Sequence, residues 1–95
     1  MVATKTSKAI WKFMINITDT QEIPMPIGAE ILTVQSQCGT PCLWARVSPG
    51  FKKENRTIIM IGTGHSIRHE TGRYIGTFQI DNGALVFHVF EGKEK

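Results

Sequence analysis

Two pairs of residues with matching spacing are the first candidates for chemistry in this chain. Cys38-x3-Cys42 and His65-x3-His69 supply the thiolate and imidazole groups of a tetrahedral zinc site. The 22 residues between the pairs would have to form two strands that bring them together. Cys42 stands inside an apolar stretch, where a free cysteine packs as a small hydrophobe. A buried Cys42 and a solvent-facing His69 are therefore expected, with no metal bound. A zinc-stabilised nucleic-acid module remains the third-ranked alternative. Gly62-Thr63-Gly64-His65 follows the β-branched run Thr57 to Ile61. Its two glycines suit either a tight turn or a nest of amide N–H groups for an anion. The phosphate-loop and dinucleotide fingerprints are incomplete, so the turn is expected.

Trp44 and Arg46 share one parity of a strand, opposite Leu43, Ala45 and Val47. An aromatic ring beside a guanidinium can stack a planar group and pair a phosphate, the two tasks of nucleotide recognition. Arg73, Thr77 and Gln79 share parity in a second strand, Gln35 and Gln37 in a third, and His88 interrupts Ala84, Val86 and Phe90. With His65, these polar groups are expected to line one concave ligand-binding face: Trp44, Arg46, Arg73, His65, His88, Gln35, Thr77 and Gln79. The plainer reading buries Trp44 in a second small core and leaves Arg46 as a rim charge. Cys42 with His65 or His88 is one conceivable nucleophile and base pairing, and a lone histidine acting as base is another. No nucleophile elbow, paired carboxylates or metal triad occurs, so a binding protein without catalytic residues or cofactor is expected, not an enzyme.

The elements that must carry these residues read as strands. Asp81-Asn82-Gly83 lies between the apolar runs Gly76–Ile80 and Ala84–Phe90, which predicts a hairpin closed by a type I′ turn. Both runs are apolar on both parities, which predicts the central hairpin of the sheet. Trp11, Phe13, Ile15 and Ile17 alternate against Lys12 and Asn16, the period of a strand with one buried face. Gln21 to Pro26 forms an edge strand, since Pro24 and Pro26 donate nothing to a ladder. Ala29 to Gln37, Cys42 to Ser48 and Thr57 to Ile61 complete the set. The fold class is all-β, a small antiparallel sandwich or barrel of six to seven strands. It forms a single domain over residues 9–92, with flexible ends at 1–8 and 93–95.

A chain of 95 residues, 41% hydrophobic and 20% charged, has room for one folded unit with a real core. The formal charge of +3 rests on lysines near the ends and in a loop, which makes nucleic acid an unlikely partner. No run is long enough to span a bilayer and the start lacks an apolar signal core, so no membrane association and a cytoplasmic location are expected. The unpaired backbone of the Pro-marked edge predicts a homo-oligomer.

Six blocks stand in order along the chain: Ile10-Trp11-Lys12-Phe13; Met25-Pro26-x-Gly28-Ala29-x-Ile31-Leu32-x-Val34-Gln35; Gly39-Thr40-Pro41-Cys42-Leu43-Trp44-Ala45; Gly62-Thr63-Gly64-His65; Gly72-Arg73-Tyr74-Ile75-Gly76-Thr77-Phe78-Gln79; and Gly83-Ala84-Leu85-Val86-Phe87-His88-Val89-Phe90-Glu91. Over about residues 10 to 91 this pattern resembles the small uncharacterised β domain carried by many tailed phages and prophages. The resemblance implies phage origin, the cytoplasm of an infected bacterium, and no assigned activity. The expectation that follows is a phage counter-defence protein that sequesters a small phosphorylated, nucleotide-derived immune signal. The alternative is an interaction protein that binds and inhibits a host protein.

Overall fold

The computed structural model describes residues 7–93, and the expected flexible ends lie outside them apart from Ser7, Lys8 and Lys93. The described chain is all strand: β1 Ala9–Met14, β2 Thr20–Pro26, β3 Glu30–Gln37, β4 Thr40–Val47, β5 Lys53–Gly62, β6 Thr71–Ile80 and β7 Leu85–Gly92. Alternation explains the layers. In β4 the parity of Leu43, Ala45 and Val47 is wholly buried, while Arg46 on the other parity is exposed. A three-stranded sheet, β1-β4-β3, packs its apolar face on that of a four-stranded sheet, β2-β5-β7-β6, and every pairing is antiparallel. Of the two architectures open from sequence, the fold is thus the sandwich. Its core unites Ile31, Val34, Leu43 and Val47 with Met25, Ile58, Met60, Phe78 and Val89. Each such side chain, fully buried, contributes on the order of 1.5–3 kcal/mol.

The sheets approach closely where β6 crosses β3. Gly76 allows this, because a Cβ there would lie 3.1 Å from Cγ1 of Val34. As expected, β2 with its prolines is an edge strand.

Two expectations about the last hairpin are corrected. It is central only through β7, because β6 is the outer strand of its sheet. Its connection is a four-residue loop, 81–84, and not a two-residue turn, since Ile80 pairs with Leu85. Asp81, Asn82 and Gly83 all have positive φ, and the N–H groups of Gly83 and Ala84 donate to the carbonyls of Ile80 and Asp81. The Asp-Asn-Gly signal therefore located the turn but gave the wrong length.

β6 also carries register shifts against β7 between Thr71 and Tyr74 and between Tyr74 and Gly76. Such bulges break strict alternation. Tyr74 consequently faces outward beside Phe90, with ring centroids 5.3 Å apart, while Ile75 turns into the core. Both are reversed from the simple parity reading.

β5 and β6 are both antiparallel to β7, so they run parallel to one another. Residues 63–70 must therefore travel back along the sheet from the end of β5 to the start of β6. This return segment acts as a strap, and the candidate site lies beneath it.

Candidate functional site

The strap begins with a tight turn. The His65 N–H donates to the Gly62 carbonyl at 3.0 Å, and Gly64 takes a φ of +89°. Thr63 N–H is held by the Val86 carbonyl at 3.1 Å. Gly62 has no side chain, which lets the imidazole of His65 lie against the strand: a Cβ there would sit 3.0 Å from its Nδ1. Gly62-Thr63-Gly64-His65 thus works as a turn that folds the strap over the outward side of β5. Ile59 and Ile61 point to that side with their cross-strand partners Phe90 and His88.

Between strap and strand lies a cavity of about 320 Å³, lined by Asp19, Ile59, Ile61, His65, Arg68 and His69 together with Met60, Gly62 and Ser66. Ile59 forms a floor that is only 4% exposed. Among the described residues, the side chains of His65, Arg68 and His69 have no hydrogen-bond or ion-pair partner. The set combines a cation and two imidazoles that can meet an anion, a carboxylate that can accept from hydroxyl or amino groups, and an apolar floor for a ring.

The residues singled out from sequence do not converge here. Trp44, Arg46 and Gln35 lie on the outward face of the three-stranded sheet. Trp44 is half-buried there between its cross-strand neighbours Lys12 and Thr33, and Gln35 stands opposite Cys42. Arg46 is paired with Glu30 at 2.7 Å. Thr77, Gln79 and His88 lie on the outward face of the other sheet, across the core from Trp44. His88 there joins Thr63 Oγ1 through Nε2 at 2.7 Å and Thr77 Oγ1 through Nδ1 at 3.0 Å, and Thr77 also bonds the Tyr74 hydroxyl. This chain ties the root of the strap to β6.

Arg73 is turned inward by the bulge. Its guanidinium bonds both the Glu91 carboxylate, at 2.8 Å, and the carbonyl of Ile31 on the opposing sheet. Arg56 approaches Glu91 from the other side at 3.1 Å and donates to the Ala29 carbonyl at 2.7 Å. The single concave face expected from sequence is therefore split over two outer faces, the strap and an inter-sheet clamp. His65 alone reaches the cavity.

The zinc pairs are likewise apart in the fold. Cys38 is at the exposed β3–β4 turn and Cys42 is buried in β4, whereas His65 and His69 are on the strap. Among the described residues, no group of three or more His, Cys, Asp or Glu side chains is placed to hold a metal ion. Sequence reasoning missed Arg68 and Asp19. The signal that picks out Arg68 is elimination: Arg46, Arg56 and Arg73 are each joined to a carboxylate and Arg68 is not. That criterion needs pairings far apart in the chain.

Fold and site define a small two-sheet β module with one strap-covered polar cavity. The chain belongs to the family described as Domain of unknown function (DUF7352), whose model matches residues 6–95. No curated protein and no solved structure matches it.

Proposed function

We propose that this protein is a binding module that captures a small phosphorylated, nucleotide-like ligand beneath the strap and releases it unchanged. The observation that carries the reading is Arg68, the one arginine of the described residues without a carboxylate partner, set in the cavity wall with His65 and His69. In this reading Arg68 and the imidazoles meet the phosphate, Asp19 accepts from a ribose hydroxyl or exocyclic amine, and the ring lies on Ile59 and Ile61. A volume of about 320 Å³ is at the small end of ligand pockets, which favours one nucleoside unit over two. The setting proposed with it is a phage protein in the infected host's cytoplasm that withdraws a nucleotide-derived immune signal; the resemblance in the sequence supports the phage origin alone.

Titration calorimetry with nucleoside monophosphates, cyclic mononucleotides and ADP-ribose, each against its unphosphorylated nucleoside, tests the proposal. A phosphate-dependent heat is expected. Arg68→Ala should weaken binding by about 1.5–3 kcal/mol, roughly ten- to a hundredfold, through loss of a charge-assisted contact. Trp44→Ala should leave it unchanged. Intact ligand recovered after heat denaturation supports sequestration, and cleaved ligand would establish an enzyme. No phosphate-dependent binding, or affinity indifferent to Arg68→Ala, would refute the site.

A further inference from the structure

The two sheets have four edge strands, and three are modified against pairing with another chain. β2 carries Pro24 and Pro26, β3 has a bulge between Ile31 and Thr33, and β6 has two register shifts. Prolines, bulges and lysines are the usual means of closing an edge. β1 has no proline and no bulge, and its single charge is Lys12. The strand pairs with β4 in unbroken register from Ala9↔Val47 to Met14↔Cys42, and among the described residues its other side has no neighbouring strand. Four of its six side chains are large and apolar, and none is fully covered. Ile10 and Met14, on the outward face, are 55% and 71% exposed, while Trp11 and Phe13, on the inward face, are half-buried at the rim of the core.

We infer that β1 pairs antiparallel with β1 of a second copy, joining two three-stranded sheets into one of six strands. The sequence of β1 suits this pairing because it is complementary to itself. Directly opposed residues of an antiparallel pair share a face. A two-fold axis at Lys12 therefore sets Ile10 against Met14 of the second copy on the outer face. On the inner face it sets Trp11 against Phe13, so that both rims of the core are covered. Registers of the same parity centred on Trp11 or Phe13 would instead oppose Lys12 to Ile10 or Met14. The cost of the Lys12 register is two lysines at the axis, a like-charge pair. Lys12 is drawn away from it, since its Nζ donates to Gln37 Oε1 across β4 at 2.8 Å. The expected assembly thus moves from the Pro-marked edge at β2 to β1, and it is independent of the strap cavity.

Analytical ultracentrifugation of the full chain across the micromolar range tests the inference. The expected mass is about 21 kDa, twice the 10.6 kDa chain. The double variant Ile10→Arg/Met14→Arg changes only side chains already exposed in the single chain. It should keep the wild-type circular dichroism spectrum while its dimer dissociation constant rises about a hundredfold or more, because each new charge faces its own kind or an apolar surface. Mixing Lys12→Glu protein with wild type should give heterodimer above the statistical half, as opposite charges then meet at the axis. A monomer at every concentration, a dimer indifferent to the arginine pair, or a purely statistical mixture would each overturn the proposed pairing.

Discussion

Replacing Glu91 by alanine removes the one carboxylate that joins Arg56 and Arg73 between the sheets. The two arms are unequal. The Arg56 arm is well shielded, with side chains 18% and 17% exposed, whereas the Arg73 side chain is 54% exposed. An exposed pair is worth about 0–1 kcal/mol. A shielded charge-assisted bond contributes about 1.5–3 kcal/mol, and its loss leaves Arg56 with only the Ala29 carbonyl. Together these give about 3 kcal/mol for Glu91→Ala. At roughly 0.05–0.15 kcal/mol per residue, a domain of this length has a total stability of only about 5–14 kcal/mol, so the loss is large. It corresponds to a fall in melting temperature of about 12–24 °C. Urea unfolding at constant m-value measures it directly. Arg56→Ala should cost about 2–3 kcal/mol and Arg73→Ala about 1 kcal/mol, and molar salt should weaken only the Arg73 arm. If Glu91→Ala costs less than 1 kcal/mol, or Arg73→Ala costs more than Arg56→Ala, the clamp reasoning fails.

Two further substitutions probe the packing. Gly76→Ala should cost about 1–3 kcal/mol, because the new methyl at 3.1 Å from Cγ1 of Val34 must displace that buried side chain or shift β6; an unchanged urea midpoint would show that the sheets are not held this closely. Phe87→Ala should cost about 3 kcal/mol, the low end for an aromatic truncation, since the ring is half-buried but stacked on Phe78 at 5.5 Å; wild-type melting would refute its place at the core rim.

Period-two patterning was enough to read most of the architecture. Leu43, Ala45 and Val47 announced the buried parity of β4, and Pro24 and Pro26 announced an edge. Local signals were less informative about geometry that depends on partners. Asp81-Asn82-Gly83 marked a reversal, but three consecutive left-handed residues make a loop two residues longer than the expected turn. Gly72 and Gly76 mark where β6 could bulge, since an interior strand glycine often does, but not how the side chains between them are turned. Those bulges appear only against β7, yet they decide that Tyr74 faces out and that Ile75 and Arg73 turn in.

The same dependence explains why the candidate site was hard to read. Alternation can place two side chains on one face of a strand, but it does not say which outer face of a sandwich that becomes. Trp44 and His88 were plausible neighbours until the sheets were assigned, and then the core lay between them. Arginines raise a second difficulty. Glu30 lies 16 residues from Arg46, while Glu91 lies 35 from Arg56 and 18 from Arg73. An arginine in a sequence is a ligand group only if no such carboxylate reaches it. Three of the four fail that condition in this fold, and the fourth, Arg68, stands on a strap that exists because β7 inserts between two parallel strands. The unpaired guanidinium of Arg68 thus follows from strand order as much as from residue type. A change that moved the strap, such as loss of the Thr63–His88–Thr77 tie, should alter the cavity without substituting any of its lining residues.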